Sequence, residues 1–376
     1  MKKQKHLLVD LFAGCGGLST GMEQAGFTPW FVNEIVPIFC NTYKCNHKLP
    51  DSHYYVGDIN QLNKDIAKFQ DILSDISIVC GGPPCQGFST ANRQRIIDDP
   101  RNNLYKAYLQ FLSVVRPKFF VMENVRGMAN KIEEIKQNFR EYLGEEYQFD
   151  AAVLQAQDFG VPQNRKRLIM IGNRMGINPA EIFAEIEKQK RPAFVLKDAL
   201  EGLPELQARA EKGRSDIENS ISGFSVCDFD YPKTDFYRFI NGDRSLDKLY
   251  NHKNRYNNPR DIEIFSRLPQ GGDSLHPSIA DIMPYSRRNH IFKDKYFKLE
   301  EGKICKTITS HMKYDCNMYI HPWQARGLSP REAARIQTFP DDYVLTGPQN
   351  SWYAQVGNAV PVKLAKAIGD AIMKFL

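Results

Sequence analysis

Up to about residue 175, short apolar runs alternate with stretches of helical period, the pattern of a parallel sheet covered on both faces by helices. The candidate strands are HLLVDLF, PWFVN, YYVGD, ISIVCGG, FFVMEN, FDAAVLQA and RLIMIG. Between them, helices are predicted from Leu18 to Ala25, from Ile38 to Cys45 behind a Pro37 suited to a first turn, and from Leu104 to Val115. From about Arg191 to Trp323 the pattern loosens, because NGDR, NNPRD and LPQGGDS interrupt it and neither period is sustained. That stretch reads as a separate, irregular domain. Regularity returns with Ser329 placed to cap a helix over PREAARIQTF and with an apolar stripe from Val362 to Phe375. Both are expected to pack back on the first domain, so the boundaries drawn are 1–190, 191–325 and 326–376.

Composition narrows the class. The chain has 376 residues, 42% of them hydrophobic and 11% aromatic, which suffices for a substantial core. Its eight cysteines form no CxxC pair and have no spacing with histidine that suits zinc, so no metal is expected and a reducing cytoplasm fits best. The apolar run in MKKQKHLLVDLF is too short for a secretory signal, and no stretch reaches the length of a membrane span. A net charge of +6 favours a polyanionic partner only weakly.

The candidate chemistry sits at strand ends. Asp10-Leu11-Phe12-Ala13-Gly14-Cys15-Gly16-Gly17 follows a strand and opens a helix, so its glycines allow a tight turn and a close approach to a ligand. A dinucleotide fingerprint would need glycine where Ser19 stands, and Gly-Lys-Ser/Thr is absent. A nucleotide without a pyrophosphate is therefore favoured over a nicotinamide cofactor, with a plain tight connection as the bland alternative. Glu34 ends the second strand, where a carboxylate can accept from both ribose hydroxyls, and Asp58 after the third suits an adenine amino group. Either also fits a solvated strand-end acid.

Gly81-Gly82-Pro83-Pro84-Cys85-Gln86-Gly87-Phe88-Ser89 follows the fourth strand and offers a thiol on a rigid turn, without the apolar neighbours that a buried structural cysteine would have. A nucleophile that adds to an electron-poor carbon is plausible there. Glu123, in Met122-Glu123-Asn124-Val125, ends the fifth strand and suits a proton donor to a ring nitrogen, or a structural acid paired with an arginine. Arg165 and Arg167 share a face of the seventh strand and suit a phosphate or a base carbonyl, or a solvated cationic strand start.

DLFAGCGG, GGPPCQGFS, MENV, QNRKR, RGLSPREAARIQTFPD and QVGNAVPV occur in this order along residues 7 to about 173 and about 321 to 370. In these motifs the chain resembles the C5-cytosine DNA methyltransferases of bacterial, restriction-modification type. The resemblance implies an α/β fold: a Rossmann-like class I S-adenosylmethionine-dependent methyltransferase sheet in 1–190, with a smaller irregular target-recognition domain in 191–325. It implies S-adenosylmethionine as cofactor, S-adenosylhomocysteine as its product and double-stranded DNA as partner. Outside that partnership it leaves room for a separately encoded restriction endonuclease, and the expectation is a cytoplasmic, nucleoid-associated monomer with no membrane contact.

Residue by residue, the resemblance implies that Cys85 attacks C6 of a flipped cytosine while Glu123 holds and protonates N3. Arg165 would contact the cytosine carbonyl and help position Cys85, with Arg167 in support. Phe12 would pack on the adenine, and Ala13, Gly14 and Leu18 would line the methionine end. Glu34 would take the ribose, Ile35, Asp58 and Ile59 the adenine, and Pro83 and Leu104 the remaining wall, with Asn358 and Val360 closing the methionine side. Gln86 and Ser89 would face DNA from a lid that carries Arg93, Arg95 and Arg101, and Thr307 would contact a phosphate. Lys253, Arg255, Arg260, Arg287, Arg288 and His290 suit base edges and phosphates, or an ordinary solvated surface. Two other readings compete: a transfer-RNA methyltransferase of the same family, whose short Cys-Phe-Thr insert is not seen, and an inactive DNA-binding relative.

Overall fold

A computed structural model describes residues 5–84, 104–209, 211–284 and 295–376. The chain divides into two compact units, one made of Met1–Gly160, Arg165–Pro192 and Ala359–Leu376, the other of Val161–Asn164 and Ala193–Asn358.

The first unit is built on a sheet of β1 (His6–Leu11), β2 (Phe27–Glu34), β3 (Tyr54–Val56), β4 (Ile78–Gly81), β5 (Phe119–Val125), β6 (Gln148–Gln155) and β7 (Lys166–Asn173), in the spatial order β3-β2-β1-β4-β5-β7-β6. Each strand falls on one of the expected apolar runs. One expectation needs correction: β1 to β5 pair in parallel, but β7 runs antiparallel to both β5 and β6. Only residues 156–165 join β6 to β7, and a parallel return would need a longer crossover, usually a helix.

The sheet is flanked by α1 (Gly17–Gln24), α2 (Pro37–Asn46), α3 (Ile59–Asp65), α4 (Leu104–Val115), α5 (Ile132–Leu143) and α6 (Pro179–Glu187). In the core, Val9, Phe31, Val79, Phe120 and Met122 of the strands join Phe111 and Leu112 of α4 and Phe139 of α5. Full burial of one such side chain contributes about 1.5–3 kcal/mol.

The second unit holds a two-stranded antiparallel sheet, β8 (Gly223–Asp228) with β9 (Lys248–Lys253), together with α7 (Leu196–Leu200), α8 (Asp235–Asn241), α9 (Pro259–Arg267), α10 (Pro330–Ile336) and α11 (Gln349–Asn358). The segment expected to be irregular thus contains regular elements, each too short to show a sustained period. Their starts are set by side-chain caps: Thr234 accepts from the Tyr237 N–H and Asn258 from the Asp261 N–H. Ser329 caps α10 as expected, in a capping box with Glu332.

α10 groups with this second unit and not with the first. The reason is polar. Arg331 donates to the Tyr250 carbonyl at 2.7 Å and Arg335 to the Glu201 carbonyl at 3.1 Å, while Asn251 exchanges two hydrogen bonds with Leu345. The chain re-enters the first unit as α12 (Val362–Met373), which lies on α1. A β-carbon on Gly21 of α1 would fall 2.4 Å from both Ala365 Cβ and the Val362 carbonyl, so this helix crossing requires glycine.

Candidate active site

In the sheet order the direction of winding reverses between β1 and β4, and open α/β sheets bind ligands beyond the carboxyl ends of the strands at such a reversal. The glycine-rich turn leaves β1 and the Gly-Gly-Pro-Pro turn leaves β4, so the two sets of candidate residues share one rim.

On the β1–β3 side, the chain turns through Phe12, Gly14 and Gly16, all with positive φ (55°, 57° and 89°). Among the described residues, nothing lies within 4 Å of where a β-carbon on Gly14 would be, so space opens at that position. The Glu34 carboxylate is held by backbone amides: Gly14 N–H donates to Oε2 at 2.7 Å and Val36 N–H to Oε1 at 2.8 Å. Burial raises its pKa above the ordinary carboxylate value, and these amides oppose the rise. A carboxylate has about four acceptor sites, so acceptor capacity remains for a ligand. Ile35, the next residue, is 61% exposed although apolar. Phe12, Ala13 and Gly14 are half-buried and Leu18 is buried.

Two expected residues of this side are placed differently from a simple lining. Asp58 is exposed and caps α3, its Oδ1 accepting from the Asn60 N–H at 2.7 Å. The Ile59 side chain belongs to the core, so only its backbone is left to meet a ligand. A carboxylate that the sequence reading missed lies behind the turn: Asp10, 1% exposed, accepts from Ser19 Oγ at 2.5 Å, and Ser19 in turn accepts from the Tyr43 hydroxyl at 2.7 Å. Burial pushes the Asp10 carboxyl up to about 7. The side chain at position 19 is therefore part of a hydrogen-bonded chain that glycine could not make.

On the β4–β5–β7 side, β4 and β5 are neighbours, and Glu123 stands at the end of β5. Because β7 is antiparallel, its first residues reach the rim where the other strands end. Arg167 lies opposite Val125, and its Nε contacts Glu123 Oε1 at 2.7 Å. The other oxygen of Glu123 sits 3.2 Å from where a β-carbon on Gly82 would be, so a side chain at position 82 would crowd this carboxylate. Asn124 fixes the turn after β4 by donating to the Pro83 carbonyl at 2.9 Å, and the Tyr108 hydroxyl of α4 donates toward the Val79 and Val121 carbonyls at 3.1 Å each. Asn124 and Tyr108 were not singled out from sequence; Asn124 is adjacent to Glu123 within MENV and was open to being read.

Pro83 is buried, Pro84 is exposed and Leu104 is half-buried. Arg165 is 2% exposed. Cys85, Gln86, Ser89, Arg93, Arg95, Arg101, Arg287, Arg288 and His290 lie outside the described residues. Buried Cys15 is pushed up to about 12 and Cys80 well above its usual value, as expected of structural thiols.

Three of the six motif segments reach into the second unit. Gln163 and Gln337, both fully buried, form a relay: the Ile308 N–H donates to Gln163 Oε1 at 2.8 Å, Gln163 Nε2 to Gln337 Oε1 at 2.9 Å, and Gln337 Nε2 to the Val356 carbonyl at 2.8 Å. Thr307 is half-buried and donates its hydroxyl to the Asn164 carbonyl. Asn358, at the end of α11, is exposed, and Val360 is buried in the first unit. Within RGLSPREAARIQTFPD the charges are internal: Arg326 makes two contacts to Glu332, at 2.8 and 2.6 Å, and Arg335 pairs with Asp341 at 3.3 Å. Lys253 and Arg255 are also committed inside, to Glu218 and to the Met312 and Tyr314 carbonyls, whereas Arg260 is exposed.

Comparison with known proteins agrees with this arrangement. The model of the C-5 cytosine-specific DNA methylase family matches residues 7–374. The type II methyltransferase M1.HphI of Haemophilus parahaemolyticus is 33% identical over 379 residues, 97% of this chain and 86% of that protein. M.DdeI of Desulfomicrobium norvegicum is 31% identical over 395 residues, 97% and 88% of the two chains. Among solved structures, one described as a prophage-encoded DNA modification methyltransferase of E. coli superposes with a TM-score of 0.75 at 26% identity, covering 98% of each chain. The Dnmt2 methyltransferase of S. pombe shares the fold, with a TM-score of 0.53 at 14% identity over 98% of this chain and 99% of that one. A match that runs nearly from end to end, over a sheet whose rim carries the expected motifs, means that the chain belongs to the C-5 cytosine-specific DNA methylase family and is a DNA cytosine-5 methyltransferase.

Proposed function

We propose that the chain methylates carbon 5 of a cytosine flipped out of a specific duplex DNA sequence, through a covalent bond between Cys85 and C6. The observation that carries this reading is the place of Glu123 at the end of β5, held by Arg167, beside the strand whose Gly82–Pro83 turn precedes Cys85 in sequence and is fixed by Asn124. An acid at the rim and a thiol two residues beyond Pro83 in the sequence suit attack on a pyrimidine ring. The ring is shielded within stacked DNA, and extruding it costs a few kcal/mol.

The thiolate of Cys85 adds to C6 and forms the S–C6 bond while Glu123 gives a proton to N3, so electron density collects at C5. C5 then takes the methyl group; afterwards its proton leaves to a base, the S–C6 bond breaks and restores the thiolate, and N3 returns its proton to Glu123. Arg165 is assigned to the cytosine carbonyl. Arg167 holds Glu123 in place through the contact at 2.7 Å.

The residues of the β1–β3 side fit S-adenosylmethionine, which when bound supplies an electrophilic sulfonium methyl group. Space opens at Gly14, Glu34 retains acceptor capacity for the ribose hydroxyls, and Ile35 offers an exposed apolar surface to the adenine, alongside Phe12. Backbone atoms at Asp58 and Ile59 and the side chains of Ala13, Leu18, Pro83, Leu104, Asn358 and Val360 complete the assignment. Gln86, Ser89 and Thr307 are assigned to DNA. The reading extends to a monomer acting beside a separately encoded endonuclease; no helix among the described residues is long and apolar enough to cross a membrane.

The test is methyl transfer to unmethylated duplex DNA followed by bisulfite sequencing. Protection of cytosines in one short recurring motif is the expected result, and labelling of RNA with DNA unmodified overturns the proposal. Cys85→Ser is expected to abolish turnover while DNA binding persists; retained turnover in that variant removes the nucleophile.

A further inference from the structure

The second unit contains a cavity of about 450 Å³, bounded by the β8–β9 sheet and the N-terminal end of α11. Arg209 lines it and is 7% exposed, and among the described residues its Nε and Nη1 have no hydrogen-bond acceptor. Trp352 also lines it and is 7% exposed, and its indole N–H likewise has no acceptor among those residues. Neither residue belongs to the rim of the first unit's sheet or to the motifs that carry the family resemblance.

The electrostatics of the wall favour an anion. Of the two acids that line the cavity, Glu218 is paired with Lys253 at 2.9 Å and Asp216 with Arg214 at 3.3 Å. Arg209 makes no ion pair among the described residues, although Asp216 and Glu211 attract it at longer range. Burial lowers the pKa of this guanidinium, the direction expected for a cation removed from water without sufficient compensation. Gln349 and Asn350, at the start of α11, also line the cavity, and the first turn of that helix carries no acidic residue. Backbone N–H groups and the helix dipole therefore add positive potential at the same wall.

We infer that this cavity is an oxyanion site that takes a phosphate group, as monoester or diester, with Arg209 as its main donor. A guanidinium presents paired donors that match two phosphate oxygens, and the indole N–H supplies a further one. The volume lies within the range of small-molecule clefts, about 300–1,000 Å³, so the phosphate can bring a sugar with it. The inference does not rest on the methyl-transfer reading. The phosphate has two sources, a free phosphorylated compound or the DNA backbone, and the experiment separates them.

With Trp30→Phe and Trp323→Phe, Trp352 is the single indole left of three. Its fluorescence is followed while inorganic phosphate, a nucleoside monophosphate or a poly(dA)·poly(dT) duplex is added at constant ionic strength, with chloride as the balancing anion. Phosphate is expected to give a saturable change, weakened at least tenfold by Arg209→Gln and less by Arg209→Lys, which keeps the charge but loses the fork. A change with the duplex that phosphate competes away identifies the DNA backbone as the source. Saturation by phosphate or the monophosphate with the duplex silent identifies a free compound. A response equal to that of chloride and unchanged in Arg209→Gln overturns the inference and leaves a water-filled cavity. Should Arg209→Gln fail to fold, the unaltered chain decides: a Tm that rises with phosphate at constant ionic strength and levels off as one site fills supports the site, and a Tm equal to that in chloride, or rising without levelling off, overturns it.

Discussion

At the sheet rim of the first unit, Glu34 and Glu123 are held in place with part of their carboxylate uncommitted. Glu34 accepts one amide on each oxygen, and Glu123 gives one oxygen to Arg167 while the other, among the described residues, accepts nothing. In the second unit Glu332 has both oxygens consumed, by the Arg326 guanidinium and the Ser329 N–H, and is 1% exposed. Glu123 and Glu332 both lie in motifs that carry the resemblance, yet Glu123, like Glu34, is placed to meet a ligand and Glu332 is part of the core. A motif rich in charge is thus not evidence of chemistry until the pairing of each charge is known.

The comparison can be broken at either end. The largest effect is expected from Glu123→Gln, which should lower kcat by about 10²- to 10⁴-fold, the usual contribution of a positioned proton donor, with little change in unfolding midpoint. A variant of unchanged kcat would make Glu123 as structural as Glu332. Next comes Glu332→Ala, which leaves Arg326 buried and unpaired and should cost about 3–5 kcal/mol in urea unfolding. A cost below about 1 kcal/mol would show that water reaches Arg326 and that the pair is not part of the core.

A smaller effect separates the two units by the sign of their pH dependence. Asp10 in the first unit has its pKa raised from 3.8 to about 7, so its stabilisation is present below pH 3.8 and is lost as pH rises through about 7. In the second unit, burial lowers His252 from 6.5 to about 4 and His321 to about 3; their contribution is present above pH 6.5 and is lost as pH falls through those values. Each group is worth up to about 1.4 kcal/mol per pH unit within its window. Asp10→Asn should therefore make stability climb more steeply from pH 4 to 7, and His252→Gln should flatten the climb. Denaturant titrations across that range check both, and parallel curves for the two variants would remove the contrast. The smallest effect is expected at the exposed Lys248–Asp228 pair on the β8–β9 sheet, where Asp228→Asn should leave Tm unchanged within error.

The strands of the first unit were legible because strands buried on both faces read as continuous apolar runs. The reversed direction of β7 was not, since direction is set by the length and path of a connection rather than by the strand's own residues. α5 was legible but unread: Ile135, Phe139 and Leu143 recur every four residues and are its buried face. The rim residues Glu34 and Glu123 could be found because locating a strand also locates its end. Asp10–Ser19–Tyr43 and the clamp from Asn124 could not, because each bond joins positions far apart in the chain. For the same reason the burial of Arg331 and Arg335 could not be read from RGLSPREAARIQTFPD, since Glu201 and Tyr250, whose carbonyls they bond, lie far away in sequence.

The glutamine relay carries a sense of direction. Each of its two amides accepts on one side and donates on the other, so turning either one over sets like against like at both of its neighbours at once. No single bond of the three can be reversed by itself. An amide does not ionise between acid and alkaline pH, so the arrangement is also deaf to protons. The segments around Gln163, Ile308, Gln337 and Val356 are consequently joined by a latch with one closed setting, which opens as a whole or stays shut.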